Sequence, residues 1–339
     1  MDIRTAINTV IERRDLGAVE MQSVMRTIMQ GEATPAQIGG LLVALRMKGE
    51  TVSEIAAAAR VMREYALKVE VGGEHLVDIV GTGGDGARTF NISTTCAFVV
   101  AAAGARVAKH HARSASSHVG SADVLEKAGV SLGLPPEQVV HCIDKLGVGF
   151  MFAPAHHSAL RHVAGVRKEL GTRTMFNILG PLANPARVPN LLLGVYKDEL
   201  VAQMAGVLKE LGAGHVLVVH SRDGLDEFSI SDVTHVAELK DGRIDSYDVT
   251  PEDFGLKRRP LKQIVTAGID ESLAMMRDVL DNKPGAARDV VLLNAGAALY
   301  VAGVAGDIRE GMDKAERVLA DGSARARLEE LAAFSHTLV

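Results

Sequence analysis

The sequence predicts an α/β protein in which a small, mostly α-helical domain accompanies a large α/β domain built on a central mixed sheet. Apolar residues recur at helical spacing through the first seventy residues, whereas short strand-like runs alternate with helical segments from residue 76 onward. The chain has 339 residues, more than the roughly 250–300 at which a single hydrophobic core stops growing. These observations favour two structural units.

The N-terminal region contains four segments with apolar residues every three or four positions. Two of these segments begin with a capping box, Thr34 with Gln37 and Thr51 with Glu54, and Pro35 takes the first helical position of the former. Short helices with narrow apolar faces need a partner to cover them. We therefore predict a helical domain that also mediates association.

The remainder of the chain alternates between strand and helix. We predict strands at 76–80, 107–108, 191–195 and 215–221, helices at 93–103, 121–129 and 199–211, and a hairpin over 233–249. The chain is again helical from about residue 271. Such alternation predicts a largely parallel sheet, to which the hairpin adds antiparallel pairing.

The composition limits the classes of function. With 37 Lys and Arg against 42 Asp and Glu, the net charge is −5, which argues against a nucleic-acid-binding surface. No signal-peptide pattern occurs, and no apolar run approaches the roughly 18 residues that a membrane span needs. Cys96 and Cys142 are too few for a disulfide framework and are predicted to be buried thiols in a reducing compartment. We therefore expect a cytoplasmic protein that binds neither nucleic acid nor a membrane.

The first predicted strand ends in a glycine loop at residues 81–86, with the sequence GTGGDG. This loop satisfies the dinucleotide pattern G-x-G-x-x-G, but Asp85 places a carboxylate where a pyrophosphate would lie. The next strand also ends in cationic rather than ribose-binding acidic residues. Glycine amides, together with Ser93 and Thr94 at the following helix start, instead favour a phosphate cradle over a plain turn.

Two charged segments support a phosphorylated ligand. Lys109 and Arg113 follow a strand end, where α/β sheets bind ligands, although a bare cationic loop is usually only solvated. Asp226 and Glu227 follow another predicted strand. Paired carboxylates at such an edge suit Mg²⁺ bound jointly with a substrate phosphate, and the alternative is an exposed turn.

Two further features depend on context. Arg167 lies on a predicted helix and would act only if it turned inward to pair with a substrate carboxylate. His156 and His157 are adjacent in sequence, so they are unsuited to binding one metal ion together. We expect them to cap a helix or to line a pocket.

Six motifs occur in order along the whole chain: VDIVGTGGDG, FNIST, GSADVLE, VRKELGTRT, FNILGPLANP and DGLDE. Together they resemble the anthranilate phosphoribosyltransferase family of tryptophan biosynthesis. The resemblance implies a fold of the nucleoside phosphorylase and phosphoribosyltransferase type, with residues 1–72 and about 165–190 forming the small, dimerising domain. Residues 73–164 and 191–339 would then form the large domain.

The resemblance also implies a reaction. The phosphoribosyl group would pass from 5-phosphoribosyl 1-diphosphate (PRPP) to the amine of anthranilate, releasing pyrophosphate, with Mg²⁺ as cofactor and a homodimer as the assembly. The residues implied to contact PRPP are Gly81, Gly84, Asp85, Thr89, Asn91, Ile92, Ser93, Thr94, Lys109, Arg113, Ser117 and Ser121. Those implied to line the anthranilate site are Gly81, His110, Ala112, His157, Arg167 and Pro181. Ser93, Asp226 and Glu227 would bind the metal, and Lys109, Asp226 and Glu227 would serve catalysis.

One segment departs from the family's pattern. Where the family has Lys-His-Gly-Asn-Arg, this chain has Lys109-His110-His111-Ala112-Arg113. An amide missing from a buried acceptor site costs about 1–3 kcal/mol, and a histidine in place of a glycine would be strained by a similar amount if that position required positive φ. We therefore predict that PRPP binding survives better than anthranilate binding.

Three other functions remain open on the sequence. A PRPP-binding protein with weakened or lost transfer would follow from His111 and Ala112. A pyrimidine nucleoside phosphorylase would share the architecture but would use inorganic phosphate. A transferase for another aromatic amine is the third alternative.

Overall fold

The computed structural model describes residues 1–113 and 119–338. Its first four helices precede any strand and are α1 (Ile3–Ile11), α2 (Ala18–Met29), α3 (Pro35–Lys48) and α4 (Val52–Glu64). Both predicted capping boxes are confirmed: the Gln37 amide N–H donates to Thr34 Oγ1 at 3.3 Å, and the Glu54 amide N–H donates to Thr51 Oγ1 at 3.2 Å. These caps satisfy backbone donors that helix starts leave free.

The sheet has seven strands, in the order β3-β2-β1-β4-β5-β6-β7. Pairing is parallel from β3 through β5 and antiparallel from β5 through β7, so the sheet is mixed as predicted. The strands are β1 (Leu76–Gly81), β2 (Arg106–His111), β3 (Val148–Phe152), β4 (Asn190–Gly194), β5 (His215–Ser221), β6 (Thr234–Lys240) and β7 (Arg243–Val249).

The strand order creates a switch point between β1 and β4. From β1 the chain proceeds to β2 and β3 on one side, and then returns to build β4 and β5 on the other. In open α/β sheets, ligands bind outside the carboxyl ends of the strands at such a point. Gly81 and Gly194 end β1 and β4 and pair with each other in register.

Strand β3 was not predicted from the sequence. Its five residues contain Gly149, which weakens the strand pattern. A Cβ on Gly149 would come 2.7 Å from Ile143 Cγ1 and 2.9 Å from the Val139 carbonyl oxygen, so glycine allows helix α7 (Pro136–Leu146) to pack closely on this strand. Residue 149 is therefore glycine because any side chain there would prevent this packing.

Helices cover both faces of the sheet. Helices α9 (Arg161–Leu170) and α10 (Phe176–Leu182) follow β3 in the chain but pack with α2, α3 and α4. This apolar core extends onto Leu191, Leu193 and helix α11 (Leu200–Glu210). The remaining helices are α5 (Ile92–Ala102), α6 (Ser121–Lys127), α8 (Ala153–His156), α12 (Ile269–Leu280), α13 (Ala286–Val301), α14 (Ile308–Ala320) and α15 (Ser323–Thr337). The predicted fold class, a small helical part with a large α/β part, is confirmed.

The structure bears on the predictions for the two cysteines and for membrane-spanning helices. Cys96 and Cys142 are both free and buried, as expected. Among the helices of the described residues, none combines the length and apolarity needed to cross a membrane.

Candidate active site

The glycine loop lies at the switch point of the sheet. Gly83, Gly84 and Gly86 have φ values of +66°, +77° and +77°, in the left-handed region that favours glycine. The Thr82 amide N–H donates to the Gly194 carbonyl oxygen at 2.9 Å, which ties the loop to the end of β4. The Gly83 amide N–H donates to Asp226 Oδ2 at 2.8 Å. The loop and the acidic segment 223–227, predicted separately from the sequence, therefore meet.

The absence of two side chains lets Asp226 approach the sheet. A Cβ on Gly81 would overlap the Asp226 carboxylate, and a Cβ on Gly194 would overlap the Asp226 backbone carbonyl. Both glycines end strands at the switch point. Their conformation is ordinary, so the reason for glycine here is close approach and not positive φ.

Three carboxyl groups meet beside the loop. Asp226 and Glu227 are each 9% exposed, and burial raises the pKa of Asp226 to about 7 and that of Glu227 to about 8. Asp85 adds to both shifts, and burial raises its own pKa. Buried carboxyl groups that repel one another in this way are relieved by a cation.

Lys109 lies on β2 within reach of these acids. It is 2% exposed, and its Nζ donates to the Ile79 carbonyl oxygen and to Ser93 Oγ, the latter at 3.2 Å. Burial lowers the pKa of Lys109, while the charges of Asp78 and Glu227 oppose that shift. A buried ammonium group therefore joins β1, β2 and the start of α5.

The start of α5 provides further polar groups. The Asn91 side chain, at the N-cap, makes no capping bond to the helix and instead accepts from Ser272 Oγ at 2.8 Å. Thr94 Oγ1 donates to Ser121 Oγ at 2.8 Å, which joins α5 to the first residue of α6. Ile92 is buried in the core, so only its backbone can face a ligand.

Three other predicted phosphate-binding residues lie in different surroundings. Thr89 lies in the segment before α5, where its backbone bridges to Val265. The Arg113 guanidinium donates to Asp123 at 2.8 Å and to Glu126 at 2.7 Å, so it pairs with α6 in this structure. Ser117 lies outside the described residues.

A second group of predicted residues lies on the opposite face of β2. The His110 and His157 rings are 5.0 Å apart, and His110 Nδ1 is 3.1 Å from the carbonyl oxygen of Gly180, which precedes Pro181 in α10. Burial lowers the pKa of His110 well below its usual range and that of His157 to about 4. Both imidazoles are neutral at physiological pH.

Arg167 approaches the same helix from α9. Its guanidinium carbon lies 5.8 Å from the centre of the ring of Phe176, the first residue of α10, and burial lowers its pKa. The described contacts do not join Arg167 to His110 or His157. The structure therefore brings His110 and His157 together beside the end of α10 that contains Pro181, and places Arg167 at the other end of that helix.

The departing segment has a regular conformation. His111 is the last residue of β2, is paired in register with Phe152 and has a negative φ, so the condition attached to the predicted strain, positive φ at this position, is not met. Its ring lies edge-on to Phe150 at 5.6 Å, and burial lowers its pKa to about 3. Ala112 follows the strand and is exposed.

Asp78 is a buried group that the sequence analysis missed. It accepts from Asn184 Nδ2 at 2.7 Å, and Asn184 Nδ2 also donates to the Ala108 carbonyl oxygen at 2.9 Å. Burial raises the pKa of Asp78 to about 6. The available signal was a single acid inside the apolar run of β1, which is unusual unless the acid has a partner.

Known proteins with the same organisation support one family. Residues 4–66 match the helical bundle domain of a glycosyl transferase family, and residues 73–325 match its a/b domain. An anthranilate phosphoribosyltransferase of Methylococcus capsulatus is 58% identical over 335 residues, covering 99% of this chain and 98% of that relative.

Solved structures agree with this similarity. The crystal structure of anthranilate phosphoribosyltransferase from Thermus thermophilus has a TM-score of 0.93 at 47% identity, covering 98% of this chain and 99% of that one. The enzyme from Saccharomyces cerevisiae in complex with PRPP and Mg has a TM-score of 0.90 at 26% identity, covering 99% and 98%. This chain therefore belongs to the anthranilate phosphoribosyltransferase family.

Proposed function

We propose that this protein transfers the phosphoribosyl group of PRPP to the amine of anthranilate, the second step from chorismate to tryptophan. The observation that carries this proposal is the 2.8 Å contact between the Gly83 amide and Asp226, which brings a glycine loop and two acids together at the switch point of the sheet. The names of the relatives support anthranilate as the acceptor.

PRPP would bind across the glycine loop and the start of α5. Loop amides and hydroxyl groups can hold phosphate oxygens, and Lys109 supplies a positive charge. The proposed contacts are Gly81, Gly84, Asp85, Thr89, Asn91, Ile92, Ser93, Thr94, Lys109, Ser117 and Ser121. Arg113 would join them only after leaving its ion pairs with α6.

Mg²⁺ is the proposed cofactor, with Ser93, Asp226 and Glu227 as its protein ligands. Within residues 1–113 and 119–338, no group of three or more His, Cys, Asp or Glu side chains forms a ready metal site. This fits an ion that binds one or two carboxylates and completes its shell with water and substrate phosphate. When bound, Mg²⁺ would stabilise the charge of the leaving pyrophosphate.

The side chains have distinct parts in the reaction. The C1–O bond of PRPP breaks with its electron pair going to pyrophosphate, the amine nitrogen bonds to C1, and the amine proton passes to solvent. Lys109 would balance the negative charge that develops on pyrophosphate. The amine of anthranilate is weakly basic and neutral at pH 7, so positioning and electrostatics supply most of the acceleration and we assign no general base.

The acceptor would lie beside Gly81, His110, His157, Arg167 and Pro181. A carbonyl oxygen only accepts, so neutral His110 carries its proton on Nδ1 toward Gly180 and leaves Nε2 as an acceptor. His110 Nε2 is buried and has no hydrogen-bond partner among the described residues. It could receive an N–H of the amine, while Arg167 would hold the carboxylate.

A second candidate function follows from the departing segment. Ala112 cannot supply the amide that the family pattern places beside the acceptor, and His111 fills the neighbouring position with a buried ring. We propose that acceptor binding is weakened while PRPP binding is retained. In its extreme form the chain would bind PRPP and transfer little or nothing.

We further propose that the chain is a homodimer formed through the small domain, residues 1–72 with about 165–190. A groove between α1 and α3 is lined mainly by apolar residues, among them Val10, Ile11, Val43, Met47 and Leu170, and Arg13 and Lys48 also line it. Met47 is 74% exposed and Ile11 is 64% exposed, which a second copy of the same face would cover. The two buried free thiols support a cytoplasmic location.

The decisive experiment follows the loss of anthranilate fluorescence with Mg·PRPP. The parent should turn over slowly or with a high KM, and His111→Gly/Ala112→Asn should recover about five- to hundred-fold. Ala112→Asn alone separates the amide from the packing of His111 and is the matched comparison. Equal, efficient rates in parent and double variant would show that this segment does not bind the acceptor. Binding of Mg·PRPP without turnover in any variant would leave only the PRPP-binding function.

A further inference from the structure

The glycine loop is contacted by a side chain from outside its own strand. Arg173 lies between α9 and α10, and its Nη2 donates to the carbonyl oxygen of Gly84. The same guanidinium lies over the ring of Tyr196, with its central carbon 3.9 Å from the ring centre. We call these three residues the Arg173 clasp.

Tyr196 has a second contact with the loop. It lies two residues beyond the end of β4, and its amide N–H donates to Thr82 Oγ1 at 3.1 Å. The loop is therefore held at Thr82 by the Tyr196 backbone and at Gly84 by Arg173, which the Tyr196 ring supports. An aromatic face attracts a guanidinium group and restricts its orientation.

The clasp acts on a segment that has little conformational restraint of its own. Gly83, Gly84 and Gly86 all adopt positive φ, and glycine loses more freedom on ordering than any other residue. In a planar trans peptide, the Gly84 carbonyl and the Asp85 N–H point in opposite directions. A donor that fixes the Gly84 carbonyl therefore also fixes the direction of the Asp85 N–H.

We propose that Arg173 is a positioning residue that pre-orders the glycine loop for PRPP through its stack on Tyr196. The inference rests on the proposed function, in which Gly84 and Asp85 contact PRPP. If the loop is ordered before PRPP binds, the conformational entropy lost on ordering it no longer weakens PRPP binding. Removal of the clasp should therefore weaken PRPP binding and leave the chemical step almost unchanged once PRPP is saturating.

The test measures Mg·PRPP binding to the full chain by calorimetry, without acceptor. Arg173→Gln should weaken binding about tenfold and Arg173→Lys less, because lysine keeps one donor but not the planar stack. Tyr196→Leu should weaken binding about three- to fivefold although no charge changes, whereas the matched Tyr196→Phe keeps the ring and should bind like the parent. The double variant Arg173→Gln/Tyr196→Leu should be no weaker than Arg173→Gln within about twofold, since the ring acts through the arginine.

A second readout separates positioning from general destabilisation. The KM for PRPP should rise in the Arg173 and Tyr196→Leu variants. Their kcat at saturating PRPP should stay within about twofold of the parent value, and their unliganded melting temperature within about 2 °C. If Arg173→Gln does not fold, Arg173→Lys and Tyr196→Leu decide the question.

Three results would overturn the proposal. Unchanged binding in both Arg173→Gln and Tyr196→Leu would remove any role for the clasp. If binding instead weakened in Arg173→Gln and not in Tyr196→Leu, with added salt reducing the difference from the parent, that result would show a direct charge effect on the diphosphate. A fall in kcat without a change in KM would place Arg173 in the chemistry. If the parent itself fails to bind Mg·PRPP, the proposed function fails and the clasp with it, a result distinct from a parent that binds and variants that do not differ.

Discussion

The backbone carbonyl of Asp226 occupies the space that a side chain on Gly194 would need, because a Cβ built at Gly194 would overlap that carbonyl group. Gly194 ends β4 beside Gly81, which bears the same relation to the Asp226 carboxylate. The position of this acid above the sheet therefore depends on two missing side chains. It does not depend on unusual backbone angles at either glycine.

Gly194→Ala should displace the acidic segment. The added methyl group meets backbone, which cannot move as a flexible side chain would, so we expect a loss of about 1–3 kcal/mol in the free energy of unfolding. Mg·PRPP binding should be lost as well. Thermal unfolding and calorimetry on the full chain measure the two effects.

The matched control for that variant is Gly165→Ala in α9. Gly165 is exposed, and a Cβ there would have no neighbour within 4 Å among the described residues. Alanine at this exposed helical position should raise the free energy of unfolding by up to about 1 kcal/mol. A Gly194→Ala protein that bound Mg·PRPP as tightly as Gly165→Ala would contradict the close-approach argument.

Local patterns predicted much of the fold, and non-local contacts account for most of what they missed. Alternating strands and helices, the capping boxes and the hairpin all follow from residues near one another in sequence. The meeting of Gly83 with Asp226 depends on β1 lying beside β4, which no local pattern reveals. Strand β3 escaped prediction because Gly149 serves the packing of a helix rather than the strand itself.

The candidate site shows the same difference between what local patterns predict and what non-local contacts decide. The glycine loop, Lys109 and the acidic pair were identifiable because their residue types have a chemical purpose at strand ends. Arg113 has the right charge, yet its guanidinium pairs with α6 in the structure. Residue type indicates what a side chain could bind, whereas the folded chain decides which neighbours compete for it.

Replacing both acids should abolish magnesium-dependent turnover. In Asp226→Asn/Glu227→Gln we expect turnover to fall at least about hundredfold, because the leaving pyrophosphate loses its stabilising cation. The unliganded melting temperature should hold or rise, since burial, together with the negative charge of Asp85, raises the pKa of both acids, and neutral amides remove the cost of burying those charges. Fluorescence assays across a magnesium titration, with melting curves, measure both effects.

Asp245→Asn on β7 is the control for the acidic pair, because Asp245 is an exposed carboxylate on the edge strand. It should behave like the parent in both measurements. Magnesium-dependent turnover that persisted in the double amide variant would refute the metal assignment.

Charges in the α1–α3 groove should separate the proposed dimer. Ile11→Glu/Met47→Glu places two like charges on a face that a second copy would cover, so burial of that face becomes unfavourable. We expect the parent to sediment as a dimer and the variant as a monomer. Val19→Glu is the matched control, because Val19 is 79% exposed but does not line the groove. Dissociation by Val19→Glu alone, or a dimer in the double variant, would place the interface elsewhere.

A polar network around Glu238 joins α13 to strands β5, β6 and β7 of the sheet. Burial acts to raise the pKa of Glu238, but hydrogen bonds from His215, Tyr300 and Tyr247 outweigh it and lower the pKa to about 2. The donor-to-acceptor distances are 2.9 Å for His215, 2.7 Å for Tyr300 and 2.9 Å for Tyr247. Lys240 Nζ in turn donates to the Tyr300 hydroxyl at 3.0 Å.

Acid should weaken the folded state through this network. Because the pKa of Glu238 is lower in the folded protein than the usual 4.5, its contribution is present above about pH 4.5 and is lost as the pH falls toward 2. Tyr247→Phe removes one donor, so it should lower the melting temperature at pH 7 and reduce the further loss between pH 5 and pH 3. Tyr65→Phe is the control, because Tyr65 lies at the end of α4 and is not a hydrogen-bond partner of Glu238. Melting curves followed by circular dichroism at several pH values measure these effects. The assignment would be contradicted if the melting temperatures of Tyr247→Phe, Tyr65→Phe and the parent all fell by the same amount between pH 5 and pH 3.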